Sequence, residues 1–458
     1  MGAALFAALV AGAAFWASPR SLDITIHDAP PAGMSWLHVV GGQIVDALGR
    51  TVLLHGFNVD NLTDPDDDEL GPPHPLDERD AELMQEAGFD CARVPIAWSL
   101  LEPAPHRFDY KYLQRIVDTV HLLERHGLRV VLDMHFGQSW GPTGDVPSWL
   151  TLGSLPDWHL VPDQRWGATS SPRGLASYGY FWVSSAWQRD LAQAWQVVAA
   201  HFRDDPGVIA YDLFNEPHPI PLPPGVFGTR FLFPAYAHLI ERVGAVDPNH
   251  LFLLEATLFF GLPTGVDPIR GANVVFSPHL YVGLINDLPT AGQYPGAVSR
   301  EVDLRAGEAS AVGAPLWFGE VGLNHTAPGA GQLASEYLNA MDAEGASWCW
   351  WEWRDDGGWG IRNLAGTHVD WQALRRLAEP YLVAAPPGTE GQASAAGALT
   401  LRVARDHAQV PATIGWPGLL SGTPHAAGAC LAGQRWNAST DRLTLRLEPG
   451  RACTVVVR

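Results

Sequence analysis

The order of apolar and polar positions between residues 50 and 380 predicts alternating strands and helices. Short apolar runs are followed by longer amphipathic segments, such as 110–126 and 185–202, whose apolar stripe would pack on a sheet. Continuous apolar runs are typical of parallel strands, because helices cover one face of the sheet and packed side chains cover the other. The runs of this kind number eight: 51–57, 89–96, 128–134, 208–214, 250–256, 273–278, 315–319 and 346–351. We therefore predict an α/β fold, a (β/α)8 TIM barrel over residues 21–383.

Two long segments interrupt this alternation and are predicted to be loops. Residues 63–75 are acidic and rich in proline, and residues 136–183, which follow the third run, are rich in tryptophan and tyrosine. Loops of this length inside a domain are usually functional, and in a barrel they leave the carboxyl ends of the strands, where active sites lie. Ahead of the first run, residues 36–44 contain a Gly-Gly turn and predict a hairpin at the floor of the barrel.

Beyond residue 381 the chain changes character. Residues 384–397 are mainly Ala, Pro, Gly and Ser and predict a linker, whereas 398–458 contain short β-rich runs. We expect these runs to form a small C-terminal antiparallel β-sandwich-like domain. Cys430 and Cys453 both lie in this domain and could form a disulfide, whereas Cys91 and Cys349 lie inside apolar runs and are predicted to be buried thiols.

The first 20 residues are mostly apolar and reach their first charge at Arg20. The apolar stretch is shorter than the ~20 residues that a membrane-spanning helix needs, and it favours a secretory signal peptide. A wrongly assigned start codon or an N-terminal anchor would also fit. We therefore expect a secreted or extracytoplasmic protein, or one anchored at its N-terminus.

Composition excludes some partners. The net charge of −20 would repel phosphate backbones and anionic lipid headgroups, so we expect no nucleic-acid partner, no strong membrane association and a neutral substrate. No group of His, Cys and Asp has convincing metal-ligand spacing, and the acidic run 64–69 lacks the spacing and glycine of a calcium loop. We expect a monomer that uses neither metal nor other cofactor.

The strongest local motif is Asn215-Glu216-Pro217, which ends the fourth apolar run. A carboxylate at the carboxyl end of a barrel strand points into the site, and the proline ends the strand there. Alone, this motif could equally be a strand-ending turn. Glu320 ends the seventh run and places a second carboxylate on the same rim. Two carboxylates ~5–6 Å apart would suit a retaining glycosidase, in which one attacks the sugar and the other exchanges protons.

Other strand ends supply further polar groups. Arg93 lies inside the second apolar run and needs a buried partner, for which Glu320 is the natural candidate. Such a pair would keep Glu320 ionised, with Arg93 as the main charge that lowers its pKa. His135 ends the third run, and His279 and Tyr281 end the sixth. Each could be an ordinary core residue, but their common position on one rim favours a role in the site.

This ordered set of residues resembles glycoside hydrolase family 5, whose members have a clan A barrel. The resemblance covers roughly residues 37–381. It implies that Glu216 is the acid/base and Glu320 the nucleophile. It also implies a substrate-binding set: Arg93, His135, Asn215, His279, Tyr281 and Trp351, with Trp350 as the alternative tryptophan.

Within the family the chain most resembles endoglycoceramidases, which release the glycan from glycosphingolipids. Endoglycoceramidases have Gln directly after the strand-three histidine, where this chain has Phe136, so another family 5 β-glucosidase or endoglucanase remains an alternative. A carbohydrate-binding barrel without turnover is the alternative of a different class, against which the presence of both glutamates argues. A ceramide would need an apolar channel, for which the segment after Glu216 offers these residues: Leu222, Val226, Phe227, Phe231, Leu232 and Phe233.

Overall fold

A computed structural model describes ten ranges of the chain, 34–63, 75–136, 146–154, 171–219, 222–258, 261–269, 273–282, 296–394, 397–405 and 408–458. The predicted signal peptide, the acidic run 64–69 and much of the loop 136–183 lie outside these described residues.

The predicted (β/α)8 barrel is confirmed. Its eight strands run parallel, and they are His55–Asn58, Cys91–Ile96, Arg129–Met134, Val208–Asp212, Leu251–Leu254, Val274–Phe276 with its continuation His279–Leu280, Trp317–Gly322 and Ser347–Trp351. The sixth strand is bent, so that its first half pairs with the fifth strand and its second half with the seventh. The two halves are therefore the two ends of one continuous sheet, which closes the barrel.

The long helices surround the sheet because they bury one apolar face against it. In Tyr110–Arg125, residues Leu113, Val117 and Val120 are buried, and the Asp109 side chain accepts hydrogen bonds from the first free N–H groups of the helix. The helices are Glu78–Glu86, Trp98–Leu101, Tyr110–Arg125, Pro172–Phe181, Ser185–Phe202, Pro224–Phe227, a π-helical turn Gly228–Leu232, Phe233–Gly244, Ala297–Val312, Ala330–Glu344, Trp371–Leu377 and Gly418–Ser421. Among the described residues, no helix is both long and apolar enough to cross a membrane.

The C-terminal part forms two antiparallel sheets, as the sequence predicts. Leu401 and Val455 from one sheet and Ile414 and Leu445 from the other share a buried core, which makes the part a sandwich. The strands outside the barrel are His38–Val40, Gln43–Val45, Thr51–Val52, Tyr381–Ala385, Thr389–Ala393, Leu399–Val403, Ala412–Gly415, Ala426–Gly428, Leu431–Asn437, Arg442–Leu447 and Cys453–Val457. Cys430 and Cys453 are joined by a disulfide.

The predicted linker is wrong, whereas the predicted hairpin at the barrel floor is confirmed, because its Leu37 and Ile44 share a buried cluster with Leu251 and Cys349 of the barrel strands. The supposed linker 384–397 contains the end of strand Tyr381–Ala385 and the whole of Thr389–Ala393, so it belongs to the sandwich. The N-terminal hairpin adds to the same sandwich, because Tyr381–Ala385 pairs with Thr51–Val52. A small residue fits at Gly391 because the neighbouring side chains approach closely, and an added Cβ would lie 3.0 Å from the Leu382 Cβ.

Candidate active site

Glu216 and Glu320 lie together at the carboxyl ends of the barrel strands. A carboxylate oxygen of each and a ring nitrogen of His279 lie within 4.8 Å of one another. Retaining glycosidases hold their two carboxyl groups ~5–5.5 Å apart, whereas inverting enzymes need ~6.5–9.5 Å to admit a water. The separation therefore suits a retaining reaction.

Arg93 is fully buried at the centre of this end of the barrel. Its Nη1 lies 2.8 Å from Glu320 Oε1 and 2.9 Å from Asn58 Oδ1, so the predicted contact with Glu320 is confirmed. Its remaining partners are Asp212 at 2.9 Å, Asn215 at 2.9 Å, Glu255 at 3.0 Å and Asp133 at 3.1 Å. From the second strand, one guanidinium group thus orients side chains at the ends of the first, third, fourth, fifth and seventh strands.

Glu320 is held in its ionised form by several groups. Burial by itself raises the pKa of the Glu320 carboxyl, but His279, Arg93, His135 and a hydrogen bond from Tyr281 together bring the pKa below its usual value. The Tyr281 hydroxyl donates to Glu320 Oε2 at 2.9 Å. The prediction that Arg93 is the main depressing charge is wrong, because His279 lowers the pKa of Glu320 more.

His279 lies between the two glutamates. Its Nδ1 is 2.9 Å from Glu216 Oε1 and 3.3 Å from Glu320 Oε2. Burial lowers the pKa of His279, but Glu255, Glu320 and Glu216 outweigh this effect and raise it well above its usual value. The imidazolium therefore supplies a positive charge between the side chains of Glu216 and Glu320.

His135 and Trp351 line the same rim. Their rings are stacked with centroids 5.8 Å apart, and His135 Nδ1 lies 2.8 Å from Asp133 Oδ2. Trp351 is half-buried, whereas Trp350 is fully buried in the layer beneath. Of the two tryptophans named from the sequence, Trp351 is the one placed to contact a substrate.

Sequence reasoning missed several residues of the site. They are Asn58, Asp133, Asp212, Glu255 and Glu352, all of them buried. A signal was present, since Asp133, Asp212 and Glu255 each lie within or directly beside a predicted apolar run, as Arg93 does. Because a buried charge needs a partner of opposite charge, these acids could have been predicted to pair with Arg93. Asn58 lacked such a signal, because an amide at a strand end is common.

The segment after Glu216 differs in part from the predicted apolar channel. Phe227, Leu232 and Phe233 are buried core residues, and the Phe227 ring packs 4.8 Å from that of Trp182. Phe231 is half-buried, and Leu222 and Val226 are exposed. Only part of the predicted set is therefore available to a ligand.

Two carboxylate clusters at this end have the geometry to hold a cation, Glu216 with His279 and Glu320, and Asp133 with Asp212 and Glu255. In both clusters a positively charged side chain of the protein already lies against the carboxylates. Arg93 contacts every acid of the second cluster, and the charged His279 lies within the first. The arrangement suits chemistry between carboxylates and a neutral substrate.

Comparisons with known proteins agree with this geometry. Residues 45–357 match the family model described as Cellulase (glycosyl hydrolase family 5). Endoglycoceramidase I of Rhodococcus hoagii is 28% identical over 292 residues, which are 55% of this chain and 54% of that protein. The chain therefore matches about half the length of this curated relative.

Solved structures are similar over most of the chain. Endo-glycoceramidase II from Rhodococcus sp. in its ganglioside GM3 complex has a TM-score of 0.79 and 26% identity, covering 91% of this chain and 99% of the other. The same enzyme as a lactosyl-enzyme intermediate has a TM-score of 0.77 and 26% identity, covering 90% and 98%.

Proposed function

Since the chain belongs to glycosyl hydrolase family 5, we propose that it is a retaining β-glycosidase of the endoglycoceramidase type. Its substrate would be the β-glycosidic bond between a glycan and the ceramide of a glycosphingolipid. The observation that carries this proposal is the pair of carboxylates within 4.8 Å, in a barrel similar to one solved as a lactosyl-enzyme intermediate.

The reaction follows from the two carboxyl groups. Ionised Glu320 attacks the anomeric carbon while protonated Glu216 gives its proton to the glycosidic oxygen, so the C–O bond to the aglycone breaks and a glycosyl ester forms. Glu216 then takes a proton from a water, whose oxygen attacks the anomeric carbon and releases Glu320. Two inversions leave the sugar with its original configuration.

The neighbouring groups would bind the sugar and hold the nucleophile. Asn215 Oδ1 accepts a hydrogen bond from Arg93, which directs the amide NH2 group to a sugar 2-hydroxyl. Such a contact strengthens as positive charge develops on the ring. Trp351 offers an apolar face for a pyranose, and His135 stacked on it offers a ring nitrogen as a polar partner.

Leu222 and Val226 support a lipid aglycone, because both are exposed on the segment that follows the acid/base. Burial of an acyl chain against such residues stabilises a complex by ~25 cal/mol per Å2 of apolar surface. We expect kcat/KM for lactosylceramide to exceed that for a water-soluble methyl lactoside by at least about tenfold, which corresponds to ~1.4 kcal/mol. A ratio near one would reduce the proposal to a family 5 β-glucosidase or endoglucanase.

Matched variants sharpen this assay. Leu222→Ser with Val226→Ser should lower kcat/KM for lactosylceramide and leave that for the methyl lactoside unchanged. Leu419→Ser is the control, since Leu419 is a similarly exposed apolar residue on the C-terminal sandwich. Glu320→Gln should abolish hydrolysis of both substrates while the barrel stays folded. Retention of sugar binding without turnover in the unmodified protein would instead identify a carbohydrate-binding barrel.

We also propose that the protein acts outside the cytoplasm as a monomer. The Cys430–Cys453 disulfide supports export, because such bonds persist in oxidising compartments. One chain supplies all the candidate site residues described above, which is compatible with a monomer. Thiol titration of protein isolated from the culture medium tests export with the disulfide formed. The mass of the protein in solution tests the monomer.

A further inference from the structure

Glu255 directly follows the fifth barrel strand and contacts the groups around both candidate catalytic residues. Its Oε2 accepts a hydrogen bond of 2.7 Å from the backbone N–H of Glu216. Its Oε1 lies 3.0 Å from His279 Nε2 and 3.0 Å from Arg93 Nη2. The side chain is 1% exposed, so water does not compete for these contacts.

The Glu216 backbone needs such support. Its φ of 45° lies in the left-handed region, which is uncommon for a residue with a side chain and costs of order 1–3 kcal/mol. A carboxylate that accepts the N–H of the same residue stabilises this conformation. The conformation in turn sets the direction in which the Glu216 carboxyl group points.

Glu255 is itself held in place from the helix side of the barrel. The hydroxyl group of Tyr236, on helix Phe233–Gly244, accepts the backbone N–H of Glu255 at 3.1 Å and donates to its carbonyl oxygen at 3.2 Å. Tyr236 is 1% exposed. A rigid helix thus fixes the backbone from which the Glu255 side chain reaches the site.

The hydrogen-bond donors around Glu255 suit a carboxylate, although burial and charge together raise its pKa to about 8. Burial raises the pKa of Glu255, with a further contribution from Asp212, while His279 and Arg93 oppose the rise. Among the described contacts, the neighbours of its two oxygens are the Glu216 N–H, Arg93 and charged His279, and each can donate a hydrogen. A carboxylate accepts from all of these groups, whereas a protonated acid would lose one acceptor.

We infer that Glu255 is a positioning residue for proton transfer, which fixes the Glu216 backbone and holds His279 against the Glu216 carboxyl group. The inference rests on the proposed glycosidase function. It predicts that loss of Glu255 weakens acid catalysis more than nucleophilic attack.

A simpler role would be to balance the charge of Arg93. Asp212 fulfils that role from the fourth strand, where its Oδ2 lies 2.9 Å from Arg93 Nε. Among the described contacts, Asp212 makes no hydrogen bond to Glu216 or His279. Asp212→Asn is therefore a matched control for Glu255→Gln, because each replaces one buried carboxylate beside the same guanidinium.

The experiment compares two aryl β-lactosides. A dinitrophenyl group leaves without protonation, whereas a phenyl group needs the acid. General acid catalysis contributes ~10²–10⁴-fold, so we expect Glu255→Gln to lose about 10²-fold in kcat/KM on the phenyl lactoside and less than about tenfold on the dinitrophenyl lactoside. Azide should accelerate turnover of the dinitrophenyl lactoside by Glu255→Gln, because it attacks the glycosyl ester without a general base. Asp212→Asn should lose activity equally on both substrates and should not respond to azide.

Equal losses on the two lactosides by Glu255→Gln, without azide acceleration, would overturn the inference and leave Glu255 a partner of Arg93. If Glu255→Gln does not fold, Glu255→Asp gives the same test, since it keeps the charge but is too short to maintain every contact. An unmodified protein that hydrolyses neither lactoside nor lactosylceramide would instead reject the proposed function, and this inference with it.

Discussion

Replacement of Arg93 by Met tests how the site keeps Glu320, the proposed nucleophile, ionised. Methionine retains much of the apolar stem but removes a guanidinium group that lies within 3.1 Å of four carboxylates: Asp133, Asp212, Glu255 and Glu320. The loss of one partner of a buried ion pair costs ~3–5 kcal/mol. The cost is similar if a carboxyl group takes up a proton instead, since moving a group of pKa ~4 to its neutral form at pH 7 costs ~4 kcal/mol. We therefore expect Arg93→Met to lose about 4 kcal/mol of unfolding free energy at neutral pH.

The pH dependence gives the sharper test. In the unmodified protein the pKa of Glu320 is lowered on folding, so its stabilising contribution is present above its unfolded pKa and disappears as the pH falls through its folded pKa. Without Arg93 the pKa of Glu320 should rise, so the acidic limb of kcat/KM should move to higher pH. Urea unfolding followed by tryptophan fluorescence at several pH values, with pH–rate profiles, measures both effects.

Arg305→Met is the matched control for this experiment. Arg305 is also fully buried and lies 2.7 Å from both Glu301 and Glu308, on helix Ala297–Val312. Its replacement should cost comparable stability but leave the acidic limb unmoved. An Arg93→Met variant whose acidic limb matches that of the unmodified protein would refute the electrostatic role of Arg93 and leave it a structural residue.

Other changes probe the remaining features. Glu216→Ala should lose about 10²–10⁴-fold in turnover of a phenyl lactoside, and azide should restore turnover of a dinitrophenyl lactoside; no restoration would argue against its role as acid/base. Tyr281→Phe removes the 2.9 Å hydrogen bond to Glu320 and should lower kcat/KM by about 5–10-fold, since such a bond contributes ~1–1.5 kcal/mol. Burial lowers the pKa of His55 from 6.5 to about 3, so between pH 6.5 and 4.5 the unmodified protein should lose about 2 kcal/mol of stability that His55→Phe retains; equal pH dependence of the two proteins would contradict this. Reduction of the Cys430–Cys453 bond, which spans 23 residues, should cost about 3 kcal/mol, measured by chemical unfolding with and without reductant.

The barrel and the two glutamates could be predicted from the sequence because both depend on local patterns. A buried parallel strand needs a continuous apolar run, and the run 208–214 ends two residues before Glu216. The carboxyl ends of all barrel strands meet at one rim, so the order of strands alone brings Glu216 and Glu320 together. The ion pair of Arg93 with Glu320 could be predicted because a charged residue in a buried apolar run needs a partner of opposite charge.

The rest depends on contacts between distant segments. Residues 384–397 have the composition of a linker, yet they form hydrogen bonds in two sheets. Ala384 and Ala385 pair with Thr51–Val52, and Thr389–Ala393 pairs with Leu399–Val403. The predicted first run 51–57 is divided between two sheets for the same reason, with only His55–Asn58 in the barrel. No local pattern marks a strand whose hydrogen-bond partners lie more than 300 residues away.

The unequal surroundings of the two glutamates support their separate roles. The side chain of Glu320 is 5% exposed, and it is fixed by Arg93, Tyr281 and His279. The side chain of Glu216 is 15% exposed, and among the described residues it is hydrogen-bonded to His279. A nucleophile must stay ionised and fixed in direction, whereas an acid/base must exchange its proton with the leaving group and with water in each cycle. Exchanging the roles would bury the proton-transfer group and leave the attacking group less constrained, so the geometry favours Glu320 as nucleophile and Glu216 as acid/base.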